Sequence, residues 1–305
     1  MTGHTYRTID VPVSGGSLRV AVWDPEGAAT ADVLVVHGVT ASHLAWPFVV
    51  DRLPGVRVIA PDLRGRGRSN QLAGPAGMAA HAADLDAVLE ALSVSQTVVV
   101  GHSMGGFVAV VFAHLHPERV SRLVLVDGGL PLDVPTGLDP EDLVSRILGP
   151  TAARLSMRFA DLGEYREFWR EHPAFRTDWT PEFERYIEYD LVPDGDAFRP
   201  ATSYEVVVED NIDMNTRATV PDALAALRHP TVLVTAPRGL LNEQPGLYPP
   251  EHLARLLVAY PEVRHERVDD RNHYTIVMSE QGADGVAAIV RRELEAARAD
   301  ALASP

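Results

Sequence analysis

The stretch Thr97–Leu115 constrains this chain more than any other. It begins with a short strand-like run, Thr97-Val98-Val99-Val100. It passes through Gly101-His102-Ser103-Met104-Gly105 and continues into Gly105–Leu115, which is apolar at nearly every position. Four β-branched residues in a row leave no polar face, so the strand must be covered on both sides. The following segment has helical length, is apolar all round, and is stopped before Pro117 by the backbone restriction that proline imposes. A buried strand leading straight into a buried helix belongs in a parallel sheet packed between helices.

The rest of the chain repeats this rhythm. Thr5–Val13 and Ser17–Trp23 flank Ser14-Gly15-Gly16 and read as an opening hairpin. Asp32–Val36, Val56–Ala60, Leu123–Val126, Thr231–Thr235 and Val263–Val268 read as strands. Ala79–Leu92, Pro249–Ala259 and Gly285–Ala299 read as helices. The alternation predicts an α/β class with a mostly parallel central sheet flanked by helices. It breaks between Pro131 and about Thr219, where no buried strand is evident. Helical stretches stand there instead, at Glu141–Leu148, Thr151–Phe159, Tyr165–Arg170 and Phe183–Tyr189, and the segment holds more than half of the aromatic residues. We therefore expect a core from residues 1–130 and 220–305, with a helical insertion at 131–219. Its aromatics are expected to form the insertion's own small core and to line an apolar pocket.

Composition removes several chemistries. The chain has no cysteine, and all 27 of its basic residues are arginine. Thiolate nucleophiles, thiolate metal sites, Schiff-base lysines and a Walker lysine are thereby excluded. A net charge of −15 argues against nucleic-acid partners. No run of 18 apolar residues is present and Met1–Val13 lacks an apolar leader core. The expectation is a cytoplasmic protein with no membrane span. No metal-ligand spacing of the H-E-x-x-H kind occurs, and no cofactor or metal is expected. Oligomeric state is not legible.

The Gly101–Gly105 run matches G-x-S-x-G in its required context, between a strand and a helix. The serine must stand on a sharp turn so that its Oγ projects from the carboxyl edge of the sheet. Glycines two residues to either side let strand and helix approach. The helix N-terminus favours developing negative charge. His37-Gly38-Val39-Thr40 follows the strand Asp32–Val36, where a loop could give a second N–H donor for a tetrahedral oxyanion.

Together with Pro61-Asp62-Leu63-Arg64-Gly65-Arg66-Gly67-Arg68-Ser69, these motifs resemble the α/β-hydrolase superfamily in order and approximate spacing. The resemblance is close over Val11–Gly129 and looser over Pro230–Val290. It accounts for the dense arginines as part of a structural loop. A dinucleotide fingerprint fails there, because the third glycine would fall on Asn70. The resemblance implies an α/β-hydrolase fold with a helical cap and Ser103 as nucleophile. Val39 and Met104 would supply the oxyanion N–H groups, and His273 the base. Two carboxylates compete for the triad acid. Family members usually place an Asp where our register puts Gly239, and the nearest carboxylate there is Glu243. Some members carry the acid after the strand here ending at Val126, which would be Asp127, and this is the favoured choice. The implied activity is hydrolysis of a carboxylic ester or related acyl bond in a small or medium apolar substrate. Cleavage of carbon–carbon, lactone or amide bonds by the same triad, or a non-catalytic small-molecule receptor, are the alternatives.

Overall fold

The computed structural model describes residues 3–133 and 153–303. The sequence-predicted helix Glu141–Leu148 and the start of the one at Thr151–Phe159 lie outside these residues. Within them, eight strands form one sheet in the order β1-β2-β4-β3-β5-β6-β9-β10. β1 (His4–Val13) and β2 (Gly16–Pro25) form the opening hairpin, and β2 pairs antiparallel with β4 (Val56–Pro61). β3 (Ala31–Val36), β5 (Thr97–His102), β6 (Val120–Val126), β9 (Thr231–Thr235) and β10 (Val263–Arg267) then run parallel with β4 and with one another.

Side chains alternate across this sheet, and both faces are dry. Leu34, Val36, Val99, Leu123, Leu125 and Leu233 enter one apolar layer. Helices α2 (Met78–Ala91) and α3 (Met104–Leu115) cover that layer. Val33, Val35, Val98, Val100, Val124, Val126, Val232 and Val234 enter the opposite layer. It is covered by the short α1 (Pro47–Val50) and by the C-terminal helix Glu280–Ala303. Double coverage explains why the central strands read as continuous Val/Leu/Ile runs without polar alternation. The structure lengthens several predicted elements. β5 reaches His102 and β6 starts at Val120, while the closing helix begins at Glu280.

Between β6 and β9 the chain forms α4 (Leu162–Arg170), α5 (Pro181–Asp190), the hairpin β7 (Leu191–Asp194) and β8 (Ala197–Pro200), α6 (Tyr204–Thr216) and α7 (Thr219–Ala225). Three features differ from the sequence expectation. Phe159 does not end a helix; it bridges Phe198 in extended backbone. The small hairpin β7–β8 was hidden because its strands are only partly buried and carry no apolar run. Helix α6 has a weak sequence signature, since Asp210, Asn211 and Asp213 are polar residues turned inward. The aromatics pack on one another, with Phe175 and Phe183 stacked at 3.9 Å and Trp169 meeting both edge-on, but they do so within the same apolar layer as Val98, Val100 and Val126 of the sheet and not as a separate core.

The arginine-rich loop after β4 fastens this segment to the sheet. Arg64 makes a paired contact with Asp84 of α2 at 2.9 and 2.8 Å. Arg66, fully buried, pairs with Asp210 of α6. Arg68 lies over the Tyr189 ring, 4.2 Å from its centroid, and Tyr189 donates to Asp62 at 2.6 Å. Each guanidinium is thus committed to an internal partner, as the loop reading of this basic stretch requires.

Candidate active site

Ser103 occupies the turn between β5 and α3 with φ 56° and ψ −126°. A non-glycine residue adopts such backbone only where its surroundings impose it. Here the Ser103 N–H donates to the Val126 carbonyl at 2.9 Å, and its carbonyl accepts from the Gly106 N–H at 2.9 Å. The flanking glycines are a matter of space. A Cβ on Gly101 would stand 2.2 Å from the Gly105 carbonyl oxygen, and one on Gly105 would stand 2.1 Å from that of Val36. Larger residues would push the helix off the sheet and move the serine.

His273 lies in the loop after β10. Its Nδ1 is 2.7 Å from Asp127 Oδ2, and both side chains are buried. Asp127 follows β6 directly, at a left-handed φ of 47°. Its other oxygen accepts from the Ala236 N–H at 3.2 Å. The acceptor at Nδ1 fixes the tautomer: Nδ1 carries the proton facing Asp127, which leaves Nε2 as the basic nitrogen. Two neighbours hold the loop. Asn272 Oδ1 accepts from the Tyr274 and Thr275 N–H groups at 3.0 and 2.9 Å. His102 Nε2 donates to the His273 carbonyl at 2.7 Å. Burial, and next the adjacent His273, push the His102 imidazole well below its ordinary value, so it is neutral.

Glu243 does not join this group. Its carboxylate folds back over its own turn, where Oε2 accepts from the Leu241 N–H at 2.7 Å. A Cβ on Gly239 would stand 2.1 Å from Oε1, so the side chain fills the space that glycine leaves. The loop after β9 therefore uses its carboxylate to close a turn.

Val39 and Met104 both line a small cavity with Ser103, Asp127 and His273. Met104 opens α3, so its N–H has no partner within the helix. The loop of Val39 is braced from two sides. Arg66 Nε donates to the Val39 carbonyl at 2.8 Å. His37 Nδ1 donates to the Gly38 carbonyl at 2.8 Å while its Nε2 accepts from the Leu63 N–H at 3.0 Å. Burial lowers the His37 pKa to about 4, which keeps this bridge neutral.

A second cavity, which also borders Ser103 and His273, is lined by Thr40, Ala41, Tyr186, Tyr274 and Met278. Each cavity measures about 30 Å³ and has mostly apolar walls. The sequence reading did not single out Tyr186, Tyr274, Asn211 or Met214 as lining residues. Tyr274 had a signal, its place beside His273, whereas the others needed the packing of α5 and α6 over the sheet.

Residues 33–162 match the family model described as the alpha/beta hydrolase fold. The chain is an α/β-hydrolase-fold protein. It is 40% identical over 116 residues to lipase LipV of Mycobacterium tuberculosis, across 38% of this chain and 43% of that protein. The chain thus spans less than half the length of this curated relative. The thioesterase domain from the curacin biosynthetic pathway superposes with a TM-score of 0.72 at 21% identity, over 95% of this chain and 99% of that one. The E-2-(acetamidomethylene)succinate hydrolase gives 0.74 at 19% identity, over 94% and 98%. Among the described residues no helix is long and apolar enough to cross a membrane, and no cluster of three His, Asp or Glu side chains could hold a metal ion.

Proposed function

We propose that this protein is a hydrolase that cleaves a carboxylic ester or related acyl bond of a small, largely apolar molecule, using Ser103, His273 and Asp127. One observation carries the reading: a buried His273–Asp127 pair at 2.7 Å beside a serine held on a strained strand-to-helix turn. His273 Nε2 takes the Ser103 proton as Oγ attacks the carbonyl carbon. The carbonyl π pair moves onto oxygen, which rests on the N–H groups of Val39 and Met104. When the tetrahedral intermediate collapses, His273 returns the proton to the leaving alkoxide and an acyl-serine remains. Water then repeats the sequence, with His273 as base, and frees the acid. Asp127 holds the imidazole orientation and stabilises the imidazolium without taking the proton.

The similarity to a lipase supports acyl chemistry, and the apolar walls of both cavities support an apolar substrate. Residues 131–219 are proposed to act as a cap that shapes these walls, since Tyr186, Asn211 and Met214 come from it. The test is turnover of 4-nitrophenyl butanoate. Ser103→Ala is expected to retain under about one-thousandth of wild-type kcat; a variant keeping a tenth of it contradicts the assignment.

A further inference from the structure

One polar side chain in the first cavity has no place in the triad. Asn211 projects from α6 and lines the cavity with Ser103, Met104 and His273. The rest of the wall beyond the triad and the oxyanion loop is apolar, with Phe107, Met214 and Leu247. Asn211 is 1% exposed. Its Nδ2 turns back along the helix and donates to the Val207 carbonyl at 2.9 Å. That bond orients the amide, because the reverse arrangement would set two oxygens against each other. Oδ1 is buried and has no hydrogen-bond partner among the described residues. A buried amide acceptor left unpaired is costly, and one that borders a cavity is completed by what enters it, a ligand or an ordered water.

The helix that carries it is held in place. Asp210 pairs with Arg66, accepts from the Gly77 N–H at 2.7 Å and meets His81 Nε2 at 3.0 Å. Burial alone would raise the Asp210 carboxyl, but His81 and the Arg66 guanidinium hold it well below the usual range. Asp213 caps α2 by accepting from the Met78 N–H at 2.6 Å. Asn211 sits between these two anchors, so its amide is presented by a fixed helix. A recognition group needs that support.

We propose that Asn211 Oδ1 accepts a hydrogen bond from the substrate, and that the preferred acyl compounds carry a hydroxyl or amide N–H within a few atoms of the scissile carbonyl. This inference rests on Ser103 being the nucleophile. An amide oxygen accepts and cannot donate, so it selects for a donor. Discrimination is strongest where a site built to bond a donor would otherwise bury an unpaired group.

The test uses two matched ester pairs, so that either side of the bond is sampled. On the acyl side they are 4-nitrophenyl butanoate and 4-nitrophenyl 3-hydroxybutanoate. On the alcohol side they are ethyl butanoate and 2-hydroxyethyl butanoate. In at least one pair the wild type should favour the hydroxylated ester in kcat/KM by about tenfold beyond the uncatalysed ratio. Asn211→Leu should bring that preference to about one, and Asn211→Ala does the same if the leucine variant does not fold. Absence of preference in both pairs, or an equal loss on both members in the variant, overturns the inference. Ser103→Ala on the same esters separates the two claims. If it is inactive and the preference is absent, the nucleophile stands and the role of Asn211 fails. If it turns the esters over like wild type, the nucleophile reading fails and this inference with it.

Discussion

Arg66 Nε lies 2.8 Å from the Val39 carbonyl oxygen, and the same guanidinium is paired with Asp210 of helix α6. One buried arginine therefore joins the proposed oxyanion loop to the segment over the site. Arg66→Lys keeps the charge and loses the branched donor geometry that reaches both partners. We expect kcat to fall about tenfold with KM changed by less than about threefold, because the Val39 N–H matters most when the oxyanion forms. Steady-state kinetics on 4-nitrophenyl butanoate check this. A fall confined to KM would show that Arg66 supports binding instead.

The acid has a direct comparison. Asp127→Asn should lower kcat by about a thousandfold or more, since the amide cannot stabilise the imidazolium and disturbs the tautomer. Glu243→Gln, whose carboxylate closes a turn, should stay within about threefold of wild type. Thermal unfolding of both variants checks that the fold survives. The reverse pattern would move the acid to the loop after β9.

This pair also shows what the sequence could and could not reveal. The strained turn at Ser103 was legible because a tight strand-to-helix turn needs glycines at fixed offsets, and the place of His273 because it follows the last strand in chain order. Asp127 and Glu243 could not be separated by spacing. The decision depends on which strand end faces His273 and on whether a carboxylate is already used locally. Arg66 and Asn211 were less accessible still. Arg66 pairs with a residue 144 positions away, and Asn211 borders a small cavity that only the packed fold creates. The parallel sheet was readable from its doubly buried strands, while α6 was masked by inward-facing polar residues whose partners belong to the core.

Substrate size follows from the cavities. Two small apolar cavities of about 30 Å³ each border Ser103 and favour short acyl chains. Acetyl and butanoyl esters should be better substrates than octanoyl esters by about tenfold or more in kcat/KM. A chain-length series of 4-nitrophenyl esters measures it. A steady rise toward octanoyl would mean that the walls open to a much larger site.

The buried imidazoles set the response to acid. His37 titrates at about 4 and His102 well below 6.5, in both cases chiefly through burial. The unfolded chain takes up these protons near pH 6.5 and the folded chain does not. Between pH 6.5 and 4 the unfolded state therefore binds more protons, and stability falls as pH falls. Above 6.5 their contribution is complete. We expect Tm to drop by roughly 5–10 °C from pH 7 to pH 4.5. His37→Gln should flatten part of that slope, and an unchanged slope in this variant would contradict the role given to burial.

The central claim is that Ser103 Oγ is the group that bonds to the acyl carbon, and covalent capture tests it most directly. Intact-mass analysis after treatment with a fluorophosphonate should show one adduct on the folded protein, mapped by peptide sequencing to Ser103, with no adduct on Ser103→Ala. A folded, unlabelled wild type, or an adduct mapped to another residue and retained in Ser103→Ala, would contradict it.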